Sequence, residues 1–436
     1  MRRSIVITVL LGLVFCSCSK QGTATSNSKY DFTYTSTMTG EAININYNFE
    51  YSLKDFDKDS TKFNKSIALL SFVKSIKAAE KASIGNFYSS FGFDNIVYSE
   101  DFDKPEDKDS IRFTIAHLNG ESYDLIGVTT NGVNYSKPWE NNFILGLEGD
   151  ADGFVVAANK VIAGIKTYLT NYTEKPVKLW ITGYSRSAAI SNIVSYRLID
   201  DGTIEEKNMF SYTFEAPRAV SKTNTKEYKS IFNIINSADL VTHVAPDMYD
   251  LKRAGVDVDI YSSKIDNLLK KVDNRLRLSS FTSSSNYSNE SELGEYLFNT
   301  LLGKSFESEG VKDMSTRENY VLYHQDKIAY LLSLFMTLKS KTTNDIINKF
   351  SNISFTDIAQ LLEEDGLYNF IKPVLDANNE TYDETKLKDA TNDIVRYIKN
   401  NADIASFMID ANARNSLTRT VSCHYPEVNL VFLYNY

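Results

Sequence analysis

Three features of this chain predict an α/β fold: a mostly parallel sheet with helices on both faces, and a large all-helical insertion before the last core segment. From Tyr123 onward, short β-rich runs alternate with stretches whose apolar residues recur at helical spacing, which is the pattern of a parallel sheet joined by crossover helices. Beyond about residue 265 the β-rich runs stop and only helical spacing remains. Between them lies Val177-Lys178-Leu179-Trp180-Ile181-Thr182, a β-rich run that turns sharply through Gly183-Tyr184-Ser185-Arg186-Ser187 into a helix with Ile190, Ile193, Val194 and Leu198 on its apolar face. A serine displayed where a strand feeds directly into a helix is a nucleophile elbow, so the expected fold is α/β-hydrolase-like.

The elements follow in chain order. Arg2 and Arg3, the apolar run Ile5 to Phe15 and the small-residue end Cys16-Ser17-Cys18 form a targeting segment over residues 1–18, too short to span a membrane permanently. It resembles a bacterial lipoprotein signal, which implies acylation of Cys18 and an extracytoplasmic, membrane-anchored protein. Residues 19–30 are small and polar, a flexible tether.

A core is expected over residues 31–265. Ile43, Ile45, Tyr47 and Phe49 alternate as in a strand. The spaced aspartates of Asp55-Phe56-Asp57-Lys58-Asp59 suggest a calcium loop, but Ser60 and Ser66 stand where glycine and glutamate are needed, so a solvated acidic turn is expected. Phe63, Ile67, Leu70 and Val73 mark a helix, residues 86–100 read as aromatic and irregular, and Ser110 to Leu118 reads as a strand carrying His117. Leu125 to Thr129, Met209 to Phe214 and Ile231 to Ile235 read as short strands, and Phe154 to Leu169 as a helix.

Residues 279–293 are rich in Ser and Asn, a loop. Tyr320 to Leu338, Ile346 to Phe350, Phe355 to Leu362, Leu367 to Leu375 and Ile394 to Met408 then read as successive amphipathic helices. They fall in an insertion over residues 266–414, expected to cap the site, and residues 415–436 return to the core.

Composition narrows the function classes. An apolar content of 42 % over 436 residues is ample for a large core. A net charge of -9 without a basic stretch argues against a nucleic-acid partner. Two of the three cysteines, Cys16 and Cys18, lie in the leader, so the rest of the chain has no disulfide framework. Cys423 reads as a small buried residue, since nothing beside it would activate a thiol.

A serine hydroxyl is a weak nucleophile and needs a base and an orienting carboxylate. Hydrolases with this elbow carry them in the order nucleophile, acid, base. Asp239 directly follows the Ile231 to Ile235 strand and is the candidate acid. Of the four histidines, His117 precedes the serine, His243 shares the loop of Asp239, and His324 falls on an insertion helix. His424, after the insertion and just before Pro426, is the best-placed base.

Gly183-Tyr184-Ser185-Arg186-Ser187-Ala188-Ala189, Tyr212-Thr213-Phe214-Glu215-Ala216-Pro217-Arg218 and Ile234-Ile235-Asn236-Ser237-Ala238-Asp239-Leu240-Val241 resemble three consecutive blocks of the class 3 (fungal-type) lipase family. Leu125 to Val128, Trp139 to Phe143, Gly153-Phe154 and His424-Tyr425-Pro426-Glu427 extend the resemblance to roughly residues 110–250 and the last fifteen or so. It implies Ser185 as nucleophile, Asp239 as acid and His424 as base, hydrolysing carboxylic esters without cofactor or metal. It also implies oxyanion donors at the Arg186 N–H and at the loop around Gly132 and Val133. Ser187 stands where the family has glycine, and Asn131 where it has arginine. Those departures motivate a rival expectation, an inert surface lipoprotein that uses the scaffold to bind a ligand or partner. Peptide cleavage would use the same three residues.

Overall fold

The computed structural model describes residues 28–36, 42–104, 106–131, 137–351 and 355–436. Its strands are β1 (Ser28–Ser36), β2 (Ile43–Tyr51), β3 (Asp94–Tyr98), β4 (Phe113–Asn119), β5 (Asp124–Thr130), β6 (Val177–Tyr184), β7 (Met209–Phe214), β8 (Val220–Ser221), β9 (Ile231–Ile235), β10 (Leu251–Lys252) and β11 (Val256–Asp259). Seven of them form one sheet in the order β11-β9-β7-β6-β5-β4-β3. From β11 to β5 every neighbouring pair is parallel, whereas β4 runs antiparallel to both of its neighbours, β5 and β3. The sheet is therefore mostly parallel, with β6 near its centre.

Helices α1 (Lys65–Lys77), α2 (Lys81–Ser90), α3 (Asp152–Tyr172) and α4 (Arg186–Asp200) cover this sheet. Asn64 starts α1 by accepting the Ser66 and Ile67 N–H groups, two of the donors a helix start leaves unpaired. Successive β6 side chains point to opposite faces and so build two cores. Leu179 and Ile181 pack with Val161, Ile165, Ile190 and Ile193 of α3 and α4. Trp180 and Tyr184 pack with Phe72 of α1, Phe87 of α2 and Phe432 near the C-terminus.

Where the structure departs from the expected elements, tertiary packing overrides local pattern. Residues 86–100 are not irregular: they hold the end of α2 and strand β3, where Phe87, Phe91 and Phe93 bury against Tyr30, Tyr88 and Trp180. Strand β1, in which Tyr30, Phe32 and Tyr34 alternate with Asp31, Thr33 and Thr35, pairs with β2 from Ser28↔Tyr51 to Ser36↔Ile43. The acidic turn is a short 3-10 helix, Leu53–Asp57, in which Asp55 pairs with Lys58 at 2.7 Å.

After β11 the described chain is helical. The Ser- and Asn-rich loop ends early, because Asn289 caps a helix starting at Glu290. Ile394 to Met408 is two helices rather than one, Glu384–Asn400 and Ala402–Ile409, broken where Asn401 accepts the Ile404 N–H. Leu331, Leu334, Ile346, Tyr368, Ile371, Leu375 and Leu387 form a third core of this region's own. By contrast, Ile265 and Leu269 bury with Val428 and Phe432 of the final helix, Pro426–Asn435, in the core beneath the sheet. No helix among the described residues is long and apolar enough to cross a membrane. Cys18 and the leader lie outside the described residues, and residues 28–30, at the end of the expected tether, already belong to β1.

Candidate active site

The site is built at the carboxyl end of β6. A Cβ on Gly183 would stand 2.4 Å from the Ser187 carbonyl oxygen and 2.5 Å from Thr130 Oγ1, so only glycine lets the turn close this tightly. Ser185 then takes φ 56° and ψ -126°, a conformation that costs a side-chain-bearing residue on the order of 1–3 kcal/mol. Its N–H donates to the Phe214 carbonyl at 2.8 Å, tying the strained residue to β7. Ser187 uses the hydroxyl that glycine would lack, accepting the Tyr184 N–H at 3.0 Å and donating to the Thr130 carbonyl at 3.1 Å.

Asp239 follows β9 and caps a 3-10 helix, Leu240–His243, with Oδ1 accepting the Val241 N–H at 2.9 Å. It is fully buried, at 0 % exposure. His424 sits between the helices Ala411–Ser422 and Pro426–Asn435, whose Pro426 start forces the chain to turn there. Its Nδ1 is 2.6 Å from Asp239 Oδ2, and its Nε2 is 2.8 Å from Ser185 Oγ. An ionised carboxylate only accepts, so Nδ1–H donates to Asp239 and Nε2 is left to accept the Ser185 hydroxyl proton. Ser185 is 7 % exposed and the His424 side chain 23 %, so both side chains are sheltered yet reachable.

The other histidines are engaged elsewhere: His117 with Asp124, His243 with Glu295 and the Ser237 carbonyl, His324 with Asp393 and the Lys312 carbonyl. Cys423 is fully buried, and burial followed by the nearby Asp239 pushes its thiol well above its ordinary range, which disfavours a thiolate. Arg218 acts as a brace, its guanidinium donating to the Ala245 carbonyl at 3.2 Å and to Glu295 at 3.2 Å. Of the expected oxyanion donors, Arg186 opens α4 directly after Ser185. Gly132 and Val133 lie outside the described residues.

Sequence reasoning missed the polar groups that hold the three residues in place. Tyr184 OH donates to the His424 carbonyl at 2.6 Å, and Asn429 Nδ2 donates to Tyr184 OH and to the Cys423 carbonyl, both at 3.0 Å. Asn236 Nδ2 donates to Asn429 Oδ1 at 3.1 Å, joining the loop of Asp239 to that of His424. The lone asparagine inside the apolar run Val428 to Leu433 was the one visible sign. A buried amide there needs partners.

Above Ser185 and His424 lies a cavity of about 1380 Å³. Core residues such as Tyr184 and Val241 form its floor, and Leu331, Met336, Ile394 and Tyr397 of the helical region form its roof.

Among curated proteins none matches the chain. Similar solved structures include a lipase from Rhizopus microsporus var. chinensis, at 17 % identity over 46 % of this chain and 75 % of that one, with a TM-score of 0.35. Others are a fungal lipase in complex with an inhibitor (16 %, 47 % and 83 %, 0.38) and a lipase from Yarrowia lipolytica (12 %, 48 % and 80 %, 0.30). Residues 127–249, which contain both Ser185 and Asp239, match the family model described as lipase (class 3). Over that segment the chain is similar to class 3 lipases.

Proposed function

We propose that this protein is a membrane-anchored serine hydrolase that cleaves carboxylic esters through an acyl-enzyme. One observation carries the reading: the unbroken hydrogen-bonded line from Asp239 through His424 to Ser185, 2.6 Å and 2.8 Å long. His424 Nε2 takes the proton of Ser185 as Oγ attacks the acyl carbon, and Asp239 stabilises the imidazolium that results. The Arg186 N–H donates to the developing oxyanion, and the resemblance assigns a second donor to Gly132 or Val133. His424 then returns its proton to the leaving alkoxide, and water releases the acyl group by the same steps in reverse.

The cavity's apolar roof and its size, about 1380 Å³, favour an ester with a long apolar acyl part. The helices between acid and base, within residues 266–414, act as a cap that sets substrate size. Acylated Cys18 holds the enzyme on an extracytoplasmic membrane surface, near lipid esters.

The test is labelling by a fluorophosphonate together with hydrolysis of a series of p-nitrophenyl esters. Labelling and turnover that both vanish in Ser185→Ala support the reading. An unlabelled, inactive but folded wild type would leave only a binding scaffold.

A further inference from the structure

Glu215 follows β7 at the same end of the sheet as Ser185 and Asp239. It is fully buried and holds a φ of 51°, a region where a glutamate is strained. Its Oε2 accepts the Asn236 N–H at 3.0 Å, no hydrogen-bond donor reaches Oε1, and the side chain lies within hydrogen-bonding reach of the Asp239 carboxyl. Between two ionised carboxylates that contact would hold no proton and two buried negative charges would meet. One proton on the pair turns the contact into an O–H···O hydrogen bond. Donor count decides where it resides: Asp239 already receives Val241 N–H and His424 Nδ1–H, while Glu215 receives Asn236 N–H alone.

The groups facing Glu215 agree with this placement. Burial, then Asp239, then more weakly Asp259 hold its carboxyl well above the usual carboxylate range. Tyr184 and Cys423, which also face it, are themselves pushed up, chiefly by burial, and His424 meets it only through Asp239.

We propose that Glu215 is a positioning residue: as a neutral acid it donates its proton to Asp239 in a hydrogen bond and fixes the plane of the carboxylate that orients His424. This rests on the serine-hydrolase reading above. The bond uses no substrate atom, so the effect reaches Ser185 only through the orientation of the imidazole. Loss of the Glu215 proton at alkaline pH sets a second anion beside Asp239 and abolishes the restraint.

The experiment is the pH dependence of kcat/KM on a short-chain p-nitrophenyl ester, for the full chain and its Glu215→Gln and Glu215→Leu variants, with Ser185→Ala as the blank. Glutamine can donate to Asp239 and accept from Asn236 but cannot ionise. Its variant is expected to keep the neutral-pH activity and to lose the alkaline decline of the wild type. Leucine, of similar size without a donor, is expected to lose on the order of tenfold or more at every pH. A Glu215→Gln profile that declines like the wild type, a flat wild-type profile, or an undiminished Glu215→Leu enzyme would each overturn the proposal. Turnover surviving in Ser185→Ala would instead overturn the serine-hydrolase reading. Should the variants not fold, infrared difference spectra of the wild type decide: a protonated-carboxyl band lost between neutral and alkaline pH supports the proposal, and its absence at neutral pH overturns it.

Discussion

His424 Nε2 stands 2.8 Å from Ser185 Oγ although 239 positions separate the two residues. The excursion between them is long, but the entropy of closing a loop rises only slowly with its length. Much of it is also rigidified by a helical core of its own around Leu331, Tyr368 and Leu387. The pair is then clamped at both ends: Ser185 by its bond to Phe214, His424 by the Tyr184 hydroxyl on its carbonyl.

That clamp makes the line of three residues a unit, so single losses should cost nearly as much as a double loss. Ser185→Ala and His424→Ala are each expected to lower kcat by on the order of 10⁴-fold or more, and the double variant by little beyond that. Asp239→Asn should lose on the order of 10⁴-fold, because the amide would favour the wrong imidazole tautomer. Steady-state hydrolysis of a p-nitrophenyl ester measures all of these. Multiplicative losses in the double variant would mean that the two side chains act independently.

The elbow can be probed without touching the reacting groups. Ser187→Ala removes the acceptor of the buried Tyr184 N–H and should destabilise the fold by about 1–3 kcal/mol. Gly183→Ala drives a methyl into the Ser187 carbonyl and Thr130 Oγ1, and overpacking of this kind costs typically about 1–3 kcal/mol. Thermal melts read both effects. A Gly183→Ala protein as stable as the wild type would show that the turn has room the structure denies it.

How much of this was legible follows from the range of each interaction. Strands β7 and β9 run over the residues their β-rich patterns predict, and the turn at Ser185 is local, so the sequence displays it directly. Asp239 and His424 could be chosen only by their order after the serine, since nothing near either position encodes the other. The Asn236–Asn429–Tyr184 network and the contact of Glu215 with Asp239 join residues far apart in the chain, and no periodicity announces such pairs. Likewise α2 and β3 owe their form to aromatic packing against Tyr30 and Trp180 rather than to local propensity.

Arg317 and Tyr320 help latch the roof of the cavity to the core. Arg317 donates to the carbonyls of Gly146 at 2.7 Å, Gly149 at 2.9 Å and Leu145 at 2.5 Å, and next to it Tyr320 OH donates to the Phe143 carbonyl at 2.9 Å. Arg317→Ala should loosen the roof where it meets this loop. The expected result is a KM for long-acyl esters raised severalfold, with kcat on a short ester little changed, because the loop's carbonyls do not touch Ser185, Asp239 or His424. Equal losses on long and short esters would contradict a role limited to the roof.

A second latch titrates. Glu295 Oε1 lies 3.0 Å from His243 Nδ1 and 3.2 Å from Arg218 Nη2, joining the helix Glu290–Glu295 to the loop that carries Asp239. The hydrogen bond from His243, aided by the charges of His243 and Arg218, lowers the Glu295 carboxyl from 4.5 to about 2. A carboxyl whose folded pKa is depressed stabilises the fold above its unfolded value, and that contribution is lost as pH falls toward the folded value. Solvent reaches nearly half of the Glu295 side chain, so the effect should be modest and screened by salt. Glu295→Gln should therefore melt below the wild type near neutral pH, and the gap should close as pH falls from about 4.5 toward about 2. Melting curves of the two proteins across that window provide the check. A gap that persists unchanged to the acid end would mean that Glu295 stabilises by packing and not by its charge.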